Sequence, residues 1–178
     1  ESGPAGGAIL AGHIALECGL DKVLSYDMGG TTAKICLIDE GKPQTSRTFE
    51  VDRQYRFTKG SGLPLRIPVI EMVEIGAGGG SIAKIDNLNR IQVGPESAGS
   101  EPGPACYDQG GEDATVTDAD VALGRIAPEG FAGGSMNLSP ELSVGALERA
   151  IGQKLNLDGP LAAFAVSEMV EENMSNAA

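Results

Sequence analysis

The sequence predicts a mixed α/β fold, because β-type apolar runs dominate its first half and helical patterns lie towards both ends. Two apolar runs flank a glycine-bearing connection near residue 30, which is the pattern of a β-hairpin. With 178 residues and a hydrophobic fraction of 41%, the chain is long enough for one domain or a small pair. We expect an α/β segment over residues 1–135 and a helical segment over residues 136–178 of the same domain.

The composition excludes several classes of function. The chain has 13 basic and 25 acidic residues, a formal charge of −12 and a pI near 4.4. Phosphate-backbone binding requires clustered Lys and Arg, and base stacking requires aromatic side chains, which form only 4% of the chain. We therefore expect no nucleic-acid partner. No apolar stretch approaches the roughly 20 residues of a membrane span, so no membrane partner is expected either.

Histidine and cysteine usage narrows the chemistry further. His13 is the only histidine, which argues against a multi-histidine zinc site and a Ser-His-Asp triad. Cys18, Cys36 and Cys106 are far apart and odd in number, a pattern typical of reduced thiols in a cytoplasmic protein. The first residues form neither a signal peptide nor a Met start. We expect a cytoplasmic segment of a longer protein.

The positions of glycines predict where the first helix and strands begin and end. Residues 1–7 are expected to form a turn before a helix over Ala8–Cys18, which Gly19 ends. The apolar positions of that helix are Ile9, Leu10, Ile14 and Leu16. The runs Val23–Tyr26 and Ala33–Ile38 are the two strands of the hairpin, and Asp39–Lys42 is the next turn.

The middle of the chain, residues 47–93, reads mostly as strands. Gly60–Pro64 interrupts this pattern. Val69–Ile75 is predicted to be a buried strand, Gly76–Gly80 a tight turn, and Ser81–Asp86 the partner strand. Residues 94–114 carry many Gly and Pro residues and predict a long, ordered surface loop.

The last third is predicted to be helical from Thr117 onward. Ser139 followed by Pro140 is a good helix start, and Pro160 opens a final helix. In that final helix the apolar face comprises Ala165, Val166, Met169, Val170 and Met174. The opposite, polar face comprises Glu168, Glu171 and Ser175.

The strongest chemical signal is Asp27–Thr32, with the sequence Asp-Met-Gly-Gly-Thr-Thr held between two strands. Adjacent glycines let backbone N–H groups approach an anion, and the two hydroxyls add donors. A carboxylate at a strand end can hold hydrated Mg²⁺ or orient a water molecule. No Walker pattern follows. The motif resembles the hairpin phosphate loop of the actin, sugar kinase and heat-shock ATPase superfamily, and the alternative is an ordinary Gly-Gly hairpin.

A second glycine run covers Glu74–Ser81. It is not a dinucleotide fingerprint, because Ser81 takes the third glycine position and a β-type run follows instead of a helix. Two interpretations stay open for Gly78, Gly79, Gly80 and Ser81. The run lets a ligand approach the backbone, or it permits tight sheet packing.

Weaker candidates each have a simpler structural explanation. Cys106 is a possible nucleophile, but it has no neighbouring histidine in sequence, and a structural thiol is the simpler role. Asp118 and Asp120 most simply start a helix, with a metal site as the alternative. The glycine-rich turn at residues 2–7 is either an anion site at a helix N-terminus or simple helix initiation. His13 is interpreted as a packed or surface residue.

Six segments occur together in one order. They are Ser2–Gly7, Asp27–Thr32, Gly60–Pro64, Glu74–Ala83, Gly103–Tyr107 and Thr115–Asp120. This combination covers nearly the whole chain and resembles the central part of the hydantoinase A/5-oxoprolinase family. That family includes N-methylhydantoinase subunits and the nucleotide-handling subunits of acetone carboxylases.

The resemblance implies an actin-like (ribonuclease-H-like) ATPase half domain that uses ATP and Mg²⁺. In the implied reaction the carbonyl oxygen of a cyclic amide of the hydantoin or 5-oxoproline type is phosphorylated, and water then opens the ring. The implied phosphate and nucleotide contacts are Gly29, Gly30, Thr31, Thr32, Gly78, Gly79, Gly80 and Ser81. Asp27 is expected to hold the metal or a water molecule, Asp27 and Thr31 to be catalytic, and Lys34 to be a lesser helper.

The resemblance leaves alternatives and departures. Ketone carboxylation shares these motifs, and a non-enzymatic acidic module that binds a partner subunit is a third interpretation. The family also implies a partner subunit of the hydantoinase B type. Its chains are longer, with a first phosphate loop before this segment, so we expect the isolated segment to be inactive. Val73 stands where some members carry a histidine before the glycine run, which removes one possible metal ligand.

Overall fold

The computed structural model describes residues 2–51, 54 and 60–178. The chain forms two compact units. The first comprises Glu1–Asp27 and Lys34–Glu74, and the second comprises Met28–Ala33 and Ile75–Ala178. The part of the predicted strand region at positions 52, 53 and 55–59 lies outside the described residues.

The first unit begins with helix α1 (Ser2–Glu17). The prediction of a turn at residues 1–7 is therefore wrong, because the helix already includes its glycines. Pro4 lies in the first turn, where a backbone N–H has no partner within the helix, so the proline ring does not interrupt it. The proposed anion site at a helix start near Ala8 is wrong for the same reason.

The buried face of α1 consists of small residues, Ala8, Gly12 and Ala15. A Cβ atom on Gly12 would lie 2.5 Å from the carbonyl oxygen of Gly41, so only glycine allows this approach of helix and turn. The predicted apolar face is instead exposed at Ile9, Leu10, Ile14 and Leu16. The sequence pattern failed here because small residues, and not large ones, determine which face packs closely.

The predicted hairpin is present. Strands β1 (Lys22–Met28) and β2 (Ala33–Asp39) pair in a four-stranded sheet that also contains β3 (Lys42–Pro43). The predicted turn after β2 is a two-residue connection, in which Glu40 and Gly41 both have positive φ.

The rest of the first unit is made of short strands. β4 (Thr45–Ser46) pairs antiparallel with β7 (Val69–Ile70), and β5 (Phe49–Val51) with β6 (Leu63–Leu65). The fourth strand of the main sheet, β8 (Val73–Ile75), pairs with β2. Val69–Ile75 is therefore not one buried strand. It divides at Glu71 and Met72, and Val73 is exposed.

The second unit contains an antiparallel pair, β9 (Ser81–Ile85) and β10 (Ile91–Ser97). The predicted partner of β9 was wrong, since β9 pairs with the strand that follows it. The connection between them is short, and Asp86 caps it by accepting hydrogen bonds from the amides of Leu88 and Arg90. A local hairpin of this kind forms more readily than a pairing across the glycine run.

The segment after β10 is mostly exposed, as expected of a surface loop, but its central part is buried. Gly103, Pro104, Ala105 and Cys106 are buried, and a short 3₁₀ turn covers Ala105–Tyr107. Helix α2 (Val116–Ala122) follows. The buried stretch fills space beside α2 instead of covering the exterior, which a proline- and glycine-rich composition does not reveal.

The C-terminal helices are placed as predicted. Ser139 caps α3 (Pro140–Leu147) by accepting the amide of Leu142. After one π turn (Glu148–Gly152), α4 (Gln153–Leu155) and α5 (Gly159–Ala177) complete the chain. Asp158 caps α5, and the predicted apolar face packs through Val166 and Val170.

The core of the second unit joins strands and helices. Its buried residues include Ala83, Val93, Val116, Leu147, Ile151 and Val166. The boundary expected between residues 135 and 136 lies inside this unit, because α3 and α5 pack on α2. Within the described residues, no helix has the length and apolar character needed to cross a bilayer.

Candidate functional site

The tip of the first hairpin belongs to the second unit. Its four-residue turn is closed by the amide of Gly29, which donates to the carbonyl of Thr32 at 2.9 Å. Gly29, Gly30 and Thr31 are exposed, and Thr32 is half-buried. The turn therefore presents backbone, and not side-chain bulk, at the surface of this unit.

The second glycine run docks against this turn by two backbone hydrogen bonds. The amide of Gly79 donates to the carbonyl of Gly29 at 3.0 Å, and the amide of Gly80 donates to the carbonyl of Gly30 at 2.6 Å. Two successive peptide groups of the hairpin are thus fixed by two successive peptide groups of the run. The structure brings together two segments that the sequence analysis selected separately.

These two bonds determine where the hairpin amides point. In a trans peptide the C=O and the following N–H point in opposite directions. Because the carbonyls of Gly29 and Gly30 point towards the run, the amides of Gly30 and Thr31 point away from it. Neither amide donates a hydrogen bond to any atom in the described part of the chain. Adjacent unpaired N–H groups of this kind form an anion-binding concavity.

Backbone groups of the glycine run form hydrogen bonds within the run and with the segment after β10. The amide of Gly78 donates to the Oγ of Ser81, and the carbonyl of Gly80 accepts the amide of Ala98. A Cβ atom on Gly78 would lie 2.6 Å from the carbonyl oxygen of Gly29, so a side chain there would separate the run from the hairpin. The hydrogen bonds and close contacts of Gly78–Ser81 therefore favour close packing, which was one of the two predicted roles.

Helix α2 holds the run from the other side. Thr117, in its first turn, donates its amide at 2.7 Å and its hydroxyl at 2.9 Å to the carbonyl of Gly79. Thr117 is buried, with 6% of its surface exposed. Gly79 is therefore bonded to α2 through its carbonyl and to the hairpin through its amide.

Asp118 anchors α2 in place. It is fully buried and forms a capping box with Thr115, accepting the Thr115 amide at 2.9 Å and hydroxyl at 2.7 Å. It also accepts the amide of Cys106 at 2.8 Å, the amide of Ala105 at 3.3 Å and the hydroxyl of Ser143 at 3.1 Å. A helix-starting role for Asp118 was predicted. Its wider role was missed, although the Thr-x-x-Asp spacing is a capping-box signal.

Cys106 is a structural thiol. Burial raises its pKa from 9.0 to about 12, and the Asp118 carboxylate acts in the same direction. All three cysteines are free of disulfides, and only Cys18 is exposed. The nucleophile alternative for Cys106 is therefore not supported by its environment.

The predicted side chains near the hairpin lie in the first unit. Asp27 is half-buried in β1, with Oδ2 3.8 Å from where a Cβ atom on Gly7 would lie. Its carboxylate accepts no hydrogen bond from the residues that the structure describes. Lys34 forms an ion pair with Glu74, with 3.0 Å between Nζ and Oε1, so its ammonium group already has a carboxylate partner. This ion pair gives no support to the predicted role of Lys34 in phosphate binding.

The carboxylates near the hairpin determine whether it could hold Mg²⁺. Among the described residues no three His, Cys, Asp or Glu side chains form a metal-binding group. Mg²⁺ commonly keeps several water ligands and takes one or two carboxylates together with substrate phosphates. A single unpaired carboxylate such as Asp27 fits that donor set.

The profile of the hydantoinase/oxoprolinase family matches residues 1–178. One relative, caprolactamase subunit alpha of Pseudomonas jessenii, is 38% identical over 174 residues, covering 98% of this chain and 24% of the relative. The crystal structure of an ATP-dependent caprolactamase from that organism gives a TM-score of 0.79 at 35% identity. That match covers 99% of this chain and 24% of the other.

Two further similarities point to different chemistries. The nucleotide-free acetone carboxylase structure gives a TM-score of 0.81 at 30% identity, covering 98% of this chain and 24% of that chain. The 5-oxoprolinase of Saccharomyces cerevisiae is 35% identical over 131 residues, covering 73% of this chain and 9% of the relative. This chain thus spans about a quarter or less of the length of these relatives.

Proposed function

The chain belongs to the hydantoinase/oxoprolinase family, and we propose on that basis that it is the phosphate-binding segment of an ATP-dependent hydrolase that opens cyclic amides. Two of the relatives, a caprolactamase and a 5-oxoprolinase, carry the names of such hydrolases. The names of two similar structures include ATP dependence. The cytoplasm is the proposed location, in keeping with three free thiols.

One observation carries the proposal to this chain's own residues. The amides of Gly30 and Thr31 are adjacent, belong to exposed residues, are unpaired within the described residues and are aimed the same way by the bonds from Gly79 and Gly80. Two preorganised N–H donors stabilise phosphate charge without any rearrangement during the reaction. We assign the phosphates of ATP to these amides, with the Thr31 and Thr32 hydroxyls as further donors.

The hairpin also supports an actin-like ATPase fold for the complete protein. A glycine-bearing hairpin that presents its turn backbone is the phosphate-binding element expected of that fold. The mixed α/β arrangement matches the acetone carboxylase and caprolactamase structures over nearly the whole chain. In this proposal the chain forms one half of the nucleotide site, and the longer protein supplies the other half.

The proposed chemistry makes the amide carbon electrophilic. The carbonyl oxygen of the cyclic amide attacks the γ-phosphorus of ATP, and the bond to the ADP oxygen breaks. Water adds to the phosphorylated carbon, the ring C–N bond breaks to give an acyl phosphate, and a second water releases phosphate. Positioning and charge stabilisation by amides and hydroxyls do most of the work in such a transfer.

Asp27 is the proposed metal-binding residue. Asp27 is the penultimate residue of β1, two positions before Gly29, and its carboxylate is unpaired among the described residues. Mg²⁺, when bound, would neutralise phosphate charge. The side chain of Asp27 would hold the ion or one of its water ligands.

Ketone carboxylation is the second candidate. The acetone carboxylase structure fits the chain about as well as the caprolactamase structure, with TM-scores of 0.81 and 0.79. Phosphate transfer to an enol oxygen would use the same hairpin. Because caprolactamase has an alpha subunit and acetone carboxylase a beta subunit, we also propose a partner subunit, of the hydantoinase B type.

The test uses the full-length protein with its partner subunit and measures ATP hydrolysis with 5-oxoproline, caprolactam, hydantoins, or acetone plus bicarbonate. We expect a cyclic amide to stimulate phosphate release. Asp27→Asn should lower kcat about 100-fold, and Thr31→Val should raise KM for ATP about five-fold.

Thr45→Val is the matched control, because Thr45 is exposed in β4 and distant in sequence from the hairpin. It should leave both constants unchanged. Stimulation by acetone plus bicarbonate alone would favour the carboxylase. Absence of ATP binding by the wild-type protein, measured by calorimetry with Mg²⁺, would refute nucleotide use and favour the acidic binding module.

A further inference from the structure

Thr117 makes two hydrogen bonds to one carbonyl. Its amide and its hydroxyl both donate to Gly79, at 2.7 and 2.9 Å. The cap of α2 does not require this hydroxyl, because Thr115 already accepts the amide of Asp118. The Gly79 carbonyl already accepts the Thr117 amide, so the Thr117 hydroxyl is not needed to satisfy it. The hydroxyl therefore acts mainly by fixing the position of that carbonyl.

The peptide group that Thr117 holds is hydrogen-bonded to the hairpin. A carbonyl that accepts hydrogen bonds polarises its peptide group and strengthens the bond donated by a neighbouring N–H. The Gly79 carbonyl shares its peptide group with the Gly80 amide, which donates to the Gly30 carbonyl at 2.6 Å. The Gly30 carbonyl in turn shares its peptide group with the Thr31 amide. Thr117 is therefore connected to the Thr31 amide through one peptide group of the run and one of the hairpin.

We propose that Thr117 is a positioning residue for phosphate binding, whose hydroxyl fixes the Gly79–Gly80 peptide and thereby the direction of the Thr31 amide. The proposal rests on the proposed function of the hairpin. Thr117 itself touches no phosphate in this scheme, since it is buried and its donors are occupied by Gly79.

Geometry makes Thr117→Val a sharp test. The methyl group that replaces the hydroxyl cannot remain 2.9 Å from a carbonyl oxygen, so the Gly79–Gly80 peptide must shift by a few tenths of an ångström. The Thr117 amide still donates to that carbonyl, so no buried acceptor is left unsatisfied and the fold is retained. Thr117→Ser keeps the hydroxyl and serves as the rescue variant.

The experiment uses the full-length protein and measures ATP binding, KM values and hydrogen exchange. For Thr117→Val we expect about five-fold weaker ATP binding and a similar rise in KM for ATP. We expect no change in KM for the amide or ketone substrate and faster exchange in a peptide that covers Gly79 and Gly80. Thr117→Ser should restore all three measurements.

The outcomes separate this inference from the proposed function. Wild-type protein that binds ATP, together with a Thr117→Val variant that binds it equally well, would overturn the positioning role alone. A loss of ATP binding accompanied by a similar loss of the second substrate would indicate a general structural defect and would also overturn it. Wild-type protein that binds no ATP would overturn the proposed function itself.

Discussion

At the scale of single residues, burial separates the three thiols. Cys18 is exposed, whereas Cys36 and Cys106 are buried. The pKa of Cys106 rises to about 12, chiefly through burial, and burial also raises the pKa of Cys36. Since the thiolate is the reactive form, the two buried residues combine poor access with a low thiolate fraction.

We predict that one thiol of the native protein reacts rapidly with iodoacetamide at pH 8. Mass spectrometry should locate the label on Cys18, with Cys36 and Cys106 labelled only after denaturation. Cys18→Ser should abolish the rapid phase. Rapid native labelling of Cys106 would contradict the packing described here.

Cys106 also predicts a pH dependence of stability. Its folded pKa lies above its unfolded value, so the neutral thiol contributes stability that is complete below pH 9 and is lost as the pH rises towards 12. Cys106→Ala should therefore reduce the fall in the free energy of unfolding between pH 9 and 11, measured by urea titration. Cys18→Ala, the exposed control, should leave that fall unchanged.

At the scale of elements, sequence patterns located most helices and the hairpin. Ser139 with Pro140, and Pro160 after Asp158, marked α3 and α5 because capping is a local effect. Sequence patterns did not predict the features that depend on tertiary contacts. The buried face of α1 depends on a glycine that meets another turn, and the partner of β9 depends on which strand is nearest.

The candidate site shows the same division. The local sequence identified the glycines of Asp27–Thr32 and Glu74–Ser81 as candidates for ligand binding or close packing. It did not predict that the two segments contact each other. The bonds from Gly79 and Gly80 to the hairpin join residues about 50 positions apart in sequence, and no local pattern encodes that pairing. The role of Thr117 and the wider role of Asp118 were missed because both depend on residues distant in sequence, Gly79 for Thr117 and Cys106 and Ser143 for Asp118.

Docking of the glycine run to the hairpin predicts the effect of a single methyl group. Gly78→Ala places a Cβ atom 2.6 Å from a backbone oxygen of Gly29, which cannot rotate away. We expect a loss of about 1–3 kcal/mol in the free energy of unfolding of the second unit, measured by chemical denaturation. ATP binding should weaken in the same variant, because the hairpin loses its support.

Gly130→Ala is the matched control. A Cβ atom on Gly130 meets nothing within 4 Å, so the same substitution is sterically free there. We expect a change in the free energy of unfolding within about 0.5 kcal/mol. Equal effects at positions 78 and 130 would show that the contact between the run and the hairpin is not a determinant of stability.

At the scale of the whole molecule, the chain is a quarter or less of the length of its relatives. The relatives' chains extend far beyond the matched region, and phosphoryl transfer requires groups that surround the substrate on several sides. In the proposed function, the hairpin amides would supply only one side of the phosphate site.

We therefore predict that the purified 178-residue chain does not turn over ATP. Phosphate release should equal that of a buffer control at every substrate tested, whereas the full-length protein releases phosphate. Steady release by the isolated chain that Asp27→Ala abolishes would show that these residues suffice for catalysis.

In the proposed site, the amides of Gly30 and Thr31, which are unpaired among the residues the structure describes, would bind phosphate on an acidic molecule of charge −12. Peptide N–H groups keep their hydrogen throughout the physiological range, so their attraction for a polyanion stays constant where that of a histidine would vary. They also attract without adding a formal positive charge. A surface crowded with carboxylates can therefore accommodate a triphosphate without a lysine or arginine cluster, which would also attract unwanted nucleic acid.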